Sequence, residues 1–310
     1  MISVIVCTYN GEKYIEEQIQ SLFIQSKQAD EIYFFDDCSN DNTVKIIKLF
    51  IKKNQLESKW FVIKNKKNIG YAQNFREGLS RLKGDIILFC DQDDIWEADK
   101  IKKTVNILND NPNISVIGTD LVHFYPNSSE KKEGSFDGSC EIVSYTGGLF
   151  SFIHHPAGCT MGIKRDYYNR IKSYYTDTWS HDEFFWRFAT IDGCAICLHD
   201  SLMKHRISGN NVTSQKKFDL EKRKKQAFKN KVNYQQLLEY CEQKKLDNNT
   251  LDCIRYFQKG NELRYIFLST SSITRVYSLL KYRKIYFSIK QFLGDIYYGY
   301  VKVNIKKWLF

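Results

Sequence analysis

Ile2-Ser3-Val4-Ile5-Val6-Cys7-Thr8 is a short apolar run, rich in β-branched residues, and Tyr9-Asn10-Gly11 closes it with turn-forming residues. A run that is apolar without alternation reads as a strand covered on both faces. From 14 to 23 the residues Ile15, Ile19, Leu22 and Phe23 recur at helical spacing, and Glu31-Ile32-Tyr33-Phe34-Phe35 then gives a second strand that stops at Asp36-Asp37. This is a β-α-β unit, and it repeats. Residues 43 to 51 read as helix, Trp60-Phe61-Val62-Ile63 as strand, 71 to 82 as helix, and Asp85-Ile86-Ile87-Leu88-Phe89-Cys90 as strand. Alternation of this kind specifies an α/β fold with a doubly wound, mostly parallel, Rossmann-like sheet.

Farther along, 114 to 124 read as a strand. The stretch 126 to 148, with Pro126, Asn127, Gly134, Gly138, Gly147 and Gly148, reads as loop, 182 to 189 as helix and 195 to 198 as strand. From about residue 215 the pattern turns to helices rich in Lys, Tyr and Phe, which places a boundary between a domain at 1–213 and a helical extension at 214–310. The charge follows the same division. The net charge is +10, yet residues 215 to 310 hold 21 Lys and Arg against 8 Asp and Glu, leaving 25 against 28 for the rest. A basic segment on a mildly acidic body argues for surface docking and against a nucleic-acid-binding protein. Nine cysteines are too sparse for a disulfide framework, and the N-terminus enters a strand without a signal-peptide pattern, so the expected compartment is a reducing cytoplasm. Charges interrupt every apolar run of the last third, and no membrane-spanning helix is expected.

In doubly wound sheets, ligands bind beyond the carboxyl ends of the strands, where strand order reverses. Thr8-Tyr9-Asn10, Asp36-Asp37 and Asp91-Gln92-Asp93-Asp94 each follow the last apolar residue of a strand, so one crevice can collect all three. Three carboxylates within four residues repel one another unless protons or a cation intervene. Mg²⁺ or Mn²⁺, bound through one or two carboxylates plus phosphate oxygens, suits a nucleoside diphosphate. The same acids would also suit a solvated turn, or an N-cap opening a helix at Ile95-Trp96. No dinucleotide or P-loop glycine motif is present.

The order of these segments, Val4-Ile5-Val6-Cys7-Thr8-Tyr9-Asn10, Phe35-Asp36-Asp37-Cys38-Ser39-Asn40-Asp41, Asn68-Ile69-Gly70 and Cys90-Asp91-Gln92-Asp93-Asp94-Ile95-Trp96, resembles family-2 glycosyltransferases of GT-A fold over residues 1–213. The Asp-Gln-Asp-Asp-Ile-Trp form is similar to a rhamnosyltransferase-like subgroup. The resemblance implies that 1–110 form the nucleotide-sugar-binding half and 111–213 the acceptor half. It implies that Thr8, Tyr9 and Asn10 line the nucleotide pocket, that Asp37 accepts from the base, and that Asn68, Gly70 and Asn74 support it. Asp91 then lies near the ribose, Asp93 binds the metal that bridges the diphosphate, and Asp94 supports them. Asp36 is read as a turn former.

Asp182, in Trp179-Ser180-His181-Asp182-Glu183, stands where acids cap helices, but the resemblance implies that it is the general base, with His181 and Trp96 as weaker acceptor contacts. The implied reaction is a single inverting displacement: Asp182 takes the proton of an acceptor hydroxyl, which attacks the anomeric carbon as the nucleoside diphosphate leaves. His205-Arg206-Ile207-Ser208-Gly209-Asn210-Asn211-Val212 resembles the closing motif of the family, with His205 in place of Tyr and Ser208 in place of His, which leaves Arg206 as the diphosphate contact and His205 as a structural histidine. His154, His155, Cys194 and Cys197 lack a second pair at ligand spacing and are read as structural.

Between 279 and 303, Leu279, Ile285, Ile289, Phe292, Ile296, Tyr300 and Val303 approximate one helical face, opposed by Lys281, Lys284, Gln291 and Asp295. That face serves either internal packing or peripheral contact with an anionic membrane, for which 18 of the 46 aromatics, interleaved with basic residues, argue. The expected protein is a cytoplasmic enzyme, with peripheral contact at the inner face of the plasma membrane as the alternative to internal packing of that face. It moves a rhamnosyl, glucosyl or galactosyl group from a nucleoside-diphosphate sugar to a glycan or lipid-linked acceptor in cell-surface polysaccharide synthesis. Two other classes compete: a catalytically impaired nucleotide-sugar-binding protein, favoured by Ser208, and a nucleotidyltransferase, disfavoured because Cys7-Thr8-Tyr9-Asn10-Gly11-Glu12 supplies no basic, glycine-rich phosphate loop.

Overall fold

The computed structural model describes residues 1–125, 131–132, 137–143, 155–207, 219–272, 274–286 and 288–302. Described residues up to 207 gather into one compact unit and those from 219 into a second. In the first, β1 (Ile2–Thr8), α1 (Ile15–Phe23), β2 (Glu31–Asp36), α2 (Thr43–Lys53), β3 (Trp60–Lys64), α3 (Tyr71–Leu79) and β4 (Ile86–Asp91) follow one another as the β-α alternation predicts. The four strands are parallel in the order β3-β2-β1-β4. Strand order therefore reverses at β1, and the carboxyl end of such a reversal point is where doubly wound sheets bind ligands.

Every residue of β1 is buried because both faces are covered. Val4 and Val6 share one core with Phe34, Leu88, Cys90 and the α1 residues Ile15, Ile19 and Leu22. Each such aliphatic side chain contributes about 1.5–3 kcal/mol on full burial. Ile5 faces the other way, toward α3. A Cβ added at Gly78 would lie 2.7 Å from Ile5 Cδ1 and 2.8 Å from the Phe35 ring, so α3 reaches the sheet through a residue with no side chain.

The rest of the sheet is mixed. β5 (Ile95–Trp96), α4 (Lys100–Asp110), β6 (Val116–Phe124), β7 (Lys131–Lys132), β8 (Cys140–Val143), β9 (Gly162–Lys164), α5 (Arg165–Ile171), α6 (His181–Ile191) and β10 (Ala195–Arg206) complete the first unit. β9 joins the halves by running antiparallel to both β4 and β6, and β6 and β10 are parallel. Ile95-Trp96 does not open a helix; it pairs with Met203–Lys204, and the helix starts only at Lys100. The stretch read as loop from 126 to 148 contains β7 and β8. β10 runs past Leu198 to Arg206 through register shifts at the polar residues around Ser201, which is why its apolar pattern stops early.

The second unit contains α7 (Leu220–Gln243), α8 (Asn248–Thr270), α9 (Thr274–Lys281) and α10 (Ile289–Ile296), which continues into a wider turn at Tyr297–Val301. Asp219, Asp247 and Ser288 cap α7, α8 and α10 by accepting from backbone amides. Leu279, Ile285 and Phe292 are buried as the apolar face predicts, whereas Ile289 is 68% exposed. Asp295, placed on the polar face from sequence, is wholly buried: its oxygens accept from Arg264 Nε at 2.6 Å and Arg223 Nη1 at 2.7 Å. Val303 lies outside the described residues. No helix among the described residues is long and apolar enough to cross a membrane.

Candidate active site

The carboxyl ends of β1, β2 and β4 are stitched together by side chains. Thr8 is buried; its hydroxyl donates to Asp36 Oδ2 at 3.0 Å and its carbonyl accepts from the Asp37 amide at 2.7 Å. Asp36, fully buried, also accepts from the Ser39 amide at 2.9 Å, fixing the turn after β2. Gln92 clamps Tyr9 from β4: Tyr9 N donates to Gln92 Oε1 at 2.8 Å, and Gln92 Nε2 donates to Tyr9 O at 2.9 Å. The Tyr9 side chain itself is exposed. Asn10, with a left-handed φ of 47°, donates from its amide to Ser39 Oγ and accepts from the Asn40 amide.

Asp37 organises the next loop. Its carboxylate accepts from Asn65 Nδ2 at 3.0 Å, Ile69 N at 2.8 Å and Gly70 N at 2.7 Å, which uses three of the roughly four acceptor positions of a carboxylate. Gly70 adopts φ 85°, and Asn68 Oδ1 accepts from its amide at 3.2 Å. Asn74 is buried between Asn65 and the Phe35 carbonyl, to which it donates at 2.8 Å.

The acids at the end of β4 do not occupy equivalent places. Ligand atoms of Asp91, Asp94 and Cys159 lie within 4.8 Å of one another. Asp94 is wholly buried, its Oδ1 accepting from the Arg206 amide at 3.1 Å, and burial together with Asp93 pushes its carboxyl up to about 7. Burial, then Asp94, Asp93 and Asp182, drive Asp91 well above the usual carboxylate range. Asp93 is raised by burial and drawn back by His205 and Arg206. A hard divalent cation could take the place of the protons that these crowded carboxyls retain, and the oxygens the fold gathers for one are those of Asp91 and Asp94, whereas Asp93, the ligand expected from sequence, is not in that group. The Cys159 thiol, raised by its burial, offers such an ion little.

Asp182 sits in the first turn of α6, with Ser180 at the cap position. Burial alone would raise its carboxyl, but His181, His155, the Ser180 hydroxyl and the Glu183 amide outweigh it and hold Asp182 below the usual range. His155 Nδ1 is 3.6 Å from Asp182 Oδ2. The Tyr71 side chain is about half exposed, yet desolvation of its phenol and the Asp182, Glu183 and Asp91 carboxylates push it up to about 12. Tyr71 and Asp91 thus both feel Asp182, and Tyr71 has no sequence signal beyond its place at the start of a helix.

Three other residues are placed differently from their sequence roles. Trp96, expected near an acceptor, is 2% exposed and belongs to the sheet core. His181, also expected near an acceptor, is a core ring, 4.2 Å from Phe75 and 4.6 Å from Phe89 between centroids. Arg206, expected on the diphosphate, is buried between Tyr14 and Phe124; its Nε donates to the Asp93 carbonyl at 2.8 Å and its Nη2 to Glu17 at 3.0 Å. It holds the Asp93-Asp94 turn. His205 Nδ1 lies 3.1 Å from Nδ1 of His123, its register partner on β6, a residue that no sequence motif marks. Ser208, the segment Gly209-Asn210-Asn211-Val212 and His154 lie outside the described residues.

Residues 3–172 match the model of glycosyl transferase family 2. The chain belongs to that family. A relative described as an uncharacterized glycosyltransferase from Haemophilus influenzae is 26% identical over 98% of both chains. The dTDP-rhamnosyl transferase RfbG of Shigella flexneri is 30% identical over 59% of this chain and 64% of its own. Among solved structures, S. aureus TarS 1–349 in complex with UDP-GlcNAc superposes with a TM-score of 0.61 at 18% identity, covering 95% of this chain and 90% of that one. The fold of this glycosyltransferase is the GT-A-type α/β sheet expected from sequence, with a helical C-terminal region.

Proposed function

We propose that this glycosyltransferase works by inversion, moving a rhamnosyl, glucosyl or galactosyl group from a nucleoside-diphosphate sugar to a hydroxyl of a glycan or lipid-linked acceptor in cell-surface polysaccharide synthesis. The observation that carries the reading is the gathering of Asp91 and Asp94 ligand atoms within 4.8 Å at the carboxyl end of β4, where the Asp91 carboxyl is raised by Asp94 and Asp93 and also by Asp182. Donor and acceptor chemistry then share one crevice at the β1 reversal point.

The roles follow from the environments. Asp182, held below the usual carboxylate range, is ionised at neutral pH and accepts the proton of the acceptor hydroxyl. The hydroxyl oxygen bonds to the anomeric carbon on the face opposite the nucleoside diphosphate, which departs with the bonding electrons of the glycosidic C–O bond. Thr8, Tyr9 and Asn10 line the nucleotide pocket. Asp37, with Asn68, Gly70 and Asn74, shapes the base-side loop and keeps about one acceptor position for the base. Asp93, with Asp91 near the ribose, would hold Mg²⁺ or Mn²⁺, which would supply positive charge for the leaving diphosphate. Arg206 acts on the diphosphate by fixing the Asp93 backbone. The catalytic domain is assigned to 1–213.

The UDP-GlcNAc carried by TarS and the dTDP-rhamnosyl name of RfbG support a nucleotide-sugar donor and set the first candidates. The test is a panel of UDP-, dTDP- and GDP-sugars with Mg²⁺ or Mn²⁺, read as nucleoside diphosphate release. At least one donor is consumed, and Asp93→Ala loses the metal-dependent part; a panel with no donor consumed overturns the reading.

The helical region 214–310 is assigned to peripheral contact with an anionic membrane. Tyr277, Leu280, Ile289, Leu293 and Tyr297 are exposed beside exposed Lys281, Arg283, Lys284 and Lys290. Sedimentation with phosphatidylserine vesicles, and its loss in Leu293→Glu, tests this; equal sedimentation with zwitterionic vesicles contradicts it.

A further inference from the structure

A second group of metal-type ligands lies on β6 and β10, away from the Asp91-Asp94 turn in sequence. Asp120, Cys197 and His199 bring one ligand atom each to within 4.8 Å of one another. The arrangement is built by strand geometry. Cys197 and His199 are two apart on β10 and so share a face, and the register shift after Leu198 brings His199 beside Asp120, which pairs with Ser201. His199 Nδ1 is 3.1 Å from Asp120 Oδ2. Two ligands on a tetrahedral ion at about 2.0–2.1 Å stand roughly 3.3 Å apart, so this separation needs little adjustment to admit one.

The other ring nitrogen is also provided for. His199 Nε2 is 3.6 Å from Glu141 Oε2, and Glu141 is the cross-strand partner of Cys197 on β8. A carboxylate on the far nitrogen is what orients a metal-bound imidazole and raises its basicity. The three ligands are partly exposed, which leaves an entry path.

We propose that Asp120, Cys197 and His199 form a binding site for a borderline divalent cation of the zinc type, with Glu141 orienting the His199 ring and water completing the coordination. The mixed sulfur, nitrogen and oxygen set selects against Mg²⁺, in contrast to the oxygen donors of Asp91 and Asp93. The ion ties β8 to β10 and β6. Backbone bonds from Gly138 N to His199 O and from His199 N to Ser139 O, both 2.9 Å, already hold this edge, and the ion would lock it.

The proposal is tested with Co²⁺ as a spectroscopic stand-in for zinc, added to the full chain carrying Asp93→Ala. One equivalent gives a thiolate-to-cobalt charge-transfer band that Zn²⁺ displaces. The band is lost in Cys197→Ser, weakened or lost in His199→Gln and Asp120→Asn, and retained in Cys159→Ser. Glu141→Gln lowers affinity by about 10–100-fold. No band at one equivalent, or a band that persists in Cys197→Ser and disappears in Cys159→Ser, overturns the proposal. Should Cys197→Ser fail to fold by circular dichroism, the same band is read in His199→Gln, a partly exposed position: its weakening or loss supports the site, and an undiminished band overturns it.

Discussion

Asp94 offers the sharpest physical test of the donor end. Its carboxyl is raised from 3.8 to about 7, about three units, and each unit is worth about 1.36 kcal/mol, so ionising it in the fold costs about 4 kcal/mol relative to the unfolded chain. The folded pKa lies above the unfolded one, so the contribution is fully present below about pH 4 and is lost as pH rises to about 7. Asp94→Asn removes the titration while its side-chain oxygen still accepts from the Arg206 amide. In chelator, urea unfolding followed by fluorescence of the buried Trp96 and Trp179 should show the wild type weakening between pH 4 and 8 by up to about 4 kcal/mol relative to Asp94→Asn. Saturating Mn²⁺ should restore the wild type at pH 8, by about 2.7 kcal/mol at a hundredfold excess over Kd. Parallel profiles for the two proteins across this range would show that Asp94 is not held protonated by its burial beside Asp93.

Other perturbations follow from single contacts. Asp295→Ala leaves Arg223 and Arg264 buried without their shared carboxylate and should cost about 3–5 kcal/mol in urea unfolding, whereas Asp252→Ala on the surface costs little. A Cβ at Gly158 falls 2.2 Å from His181 Nε2, so Gly158→Ala displaces the ring next to Asp182 and should lower kcat by about a hundredfold with donor affinity retained. Asp37→Ala releases the Ile69 and Gly70 amides and should weaken donor binding by calorimetry, with a stability loss on the order of 3 kcal/mol.

The parallel half of the fold was legible because β1, β2 and β4 are buried on both faces and α1 and α3 carry their apolar residues on one stripe; those patterns are local. The mixed half was less so. β5 and β9 are two and three residues long, and β10 continues through His199-Asp200-Ser201, where register shifts replace apolar alternation. Site residues were found where motifs mark strand ends, yet their directions were not. His181 and Asp182 are adjacent and face different surroundings, since helix geometry turns each residue about 100° from the last. Arg206 became a structural clamp because Glu17, Tyr14 and Phe124 surround it, and their convergence is a tertiary fact with no signature in sequence. The His123–His205 and Asp120–His199 pairs likewise depend on the parallel register of β6 with β10.

Inverting transfer with Asp182 as the base is tested most directly by the transfer rate of Asp182→Asn with a consumed donor and saturating acceptor, measured beside donor affinity by calorimetry and the anomeric configuration of the product by NMR. The expected outcome is a loss of kcat of about 10²–10⁴-fold, unchanged donor affinity, and, for the wild type, a product of inverted configuration. Full transfer by Asp182→Asn, or retention of configuration by the wild type, would exclude that mechanism.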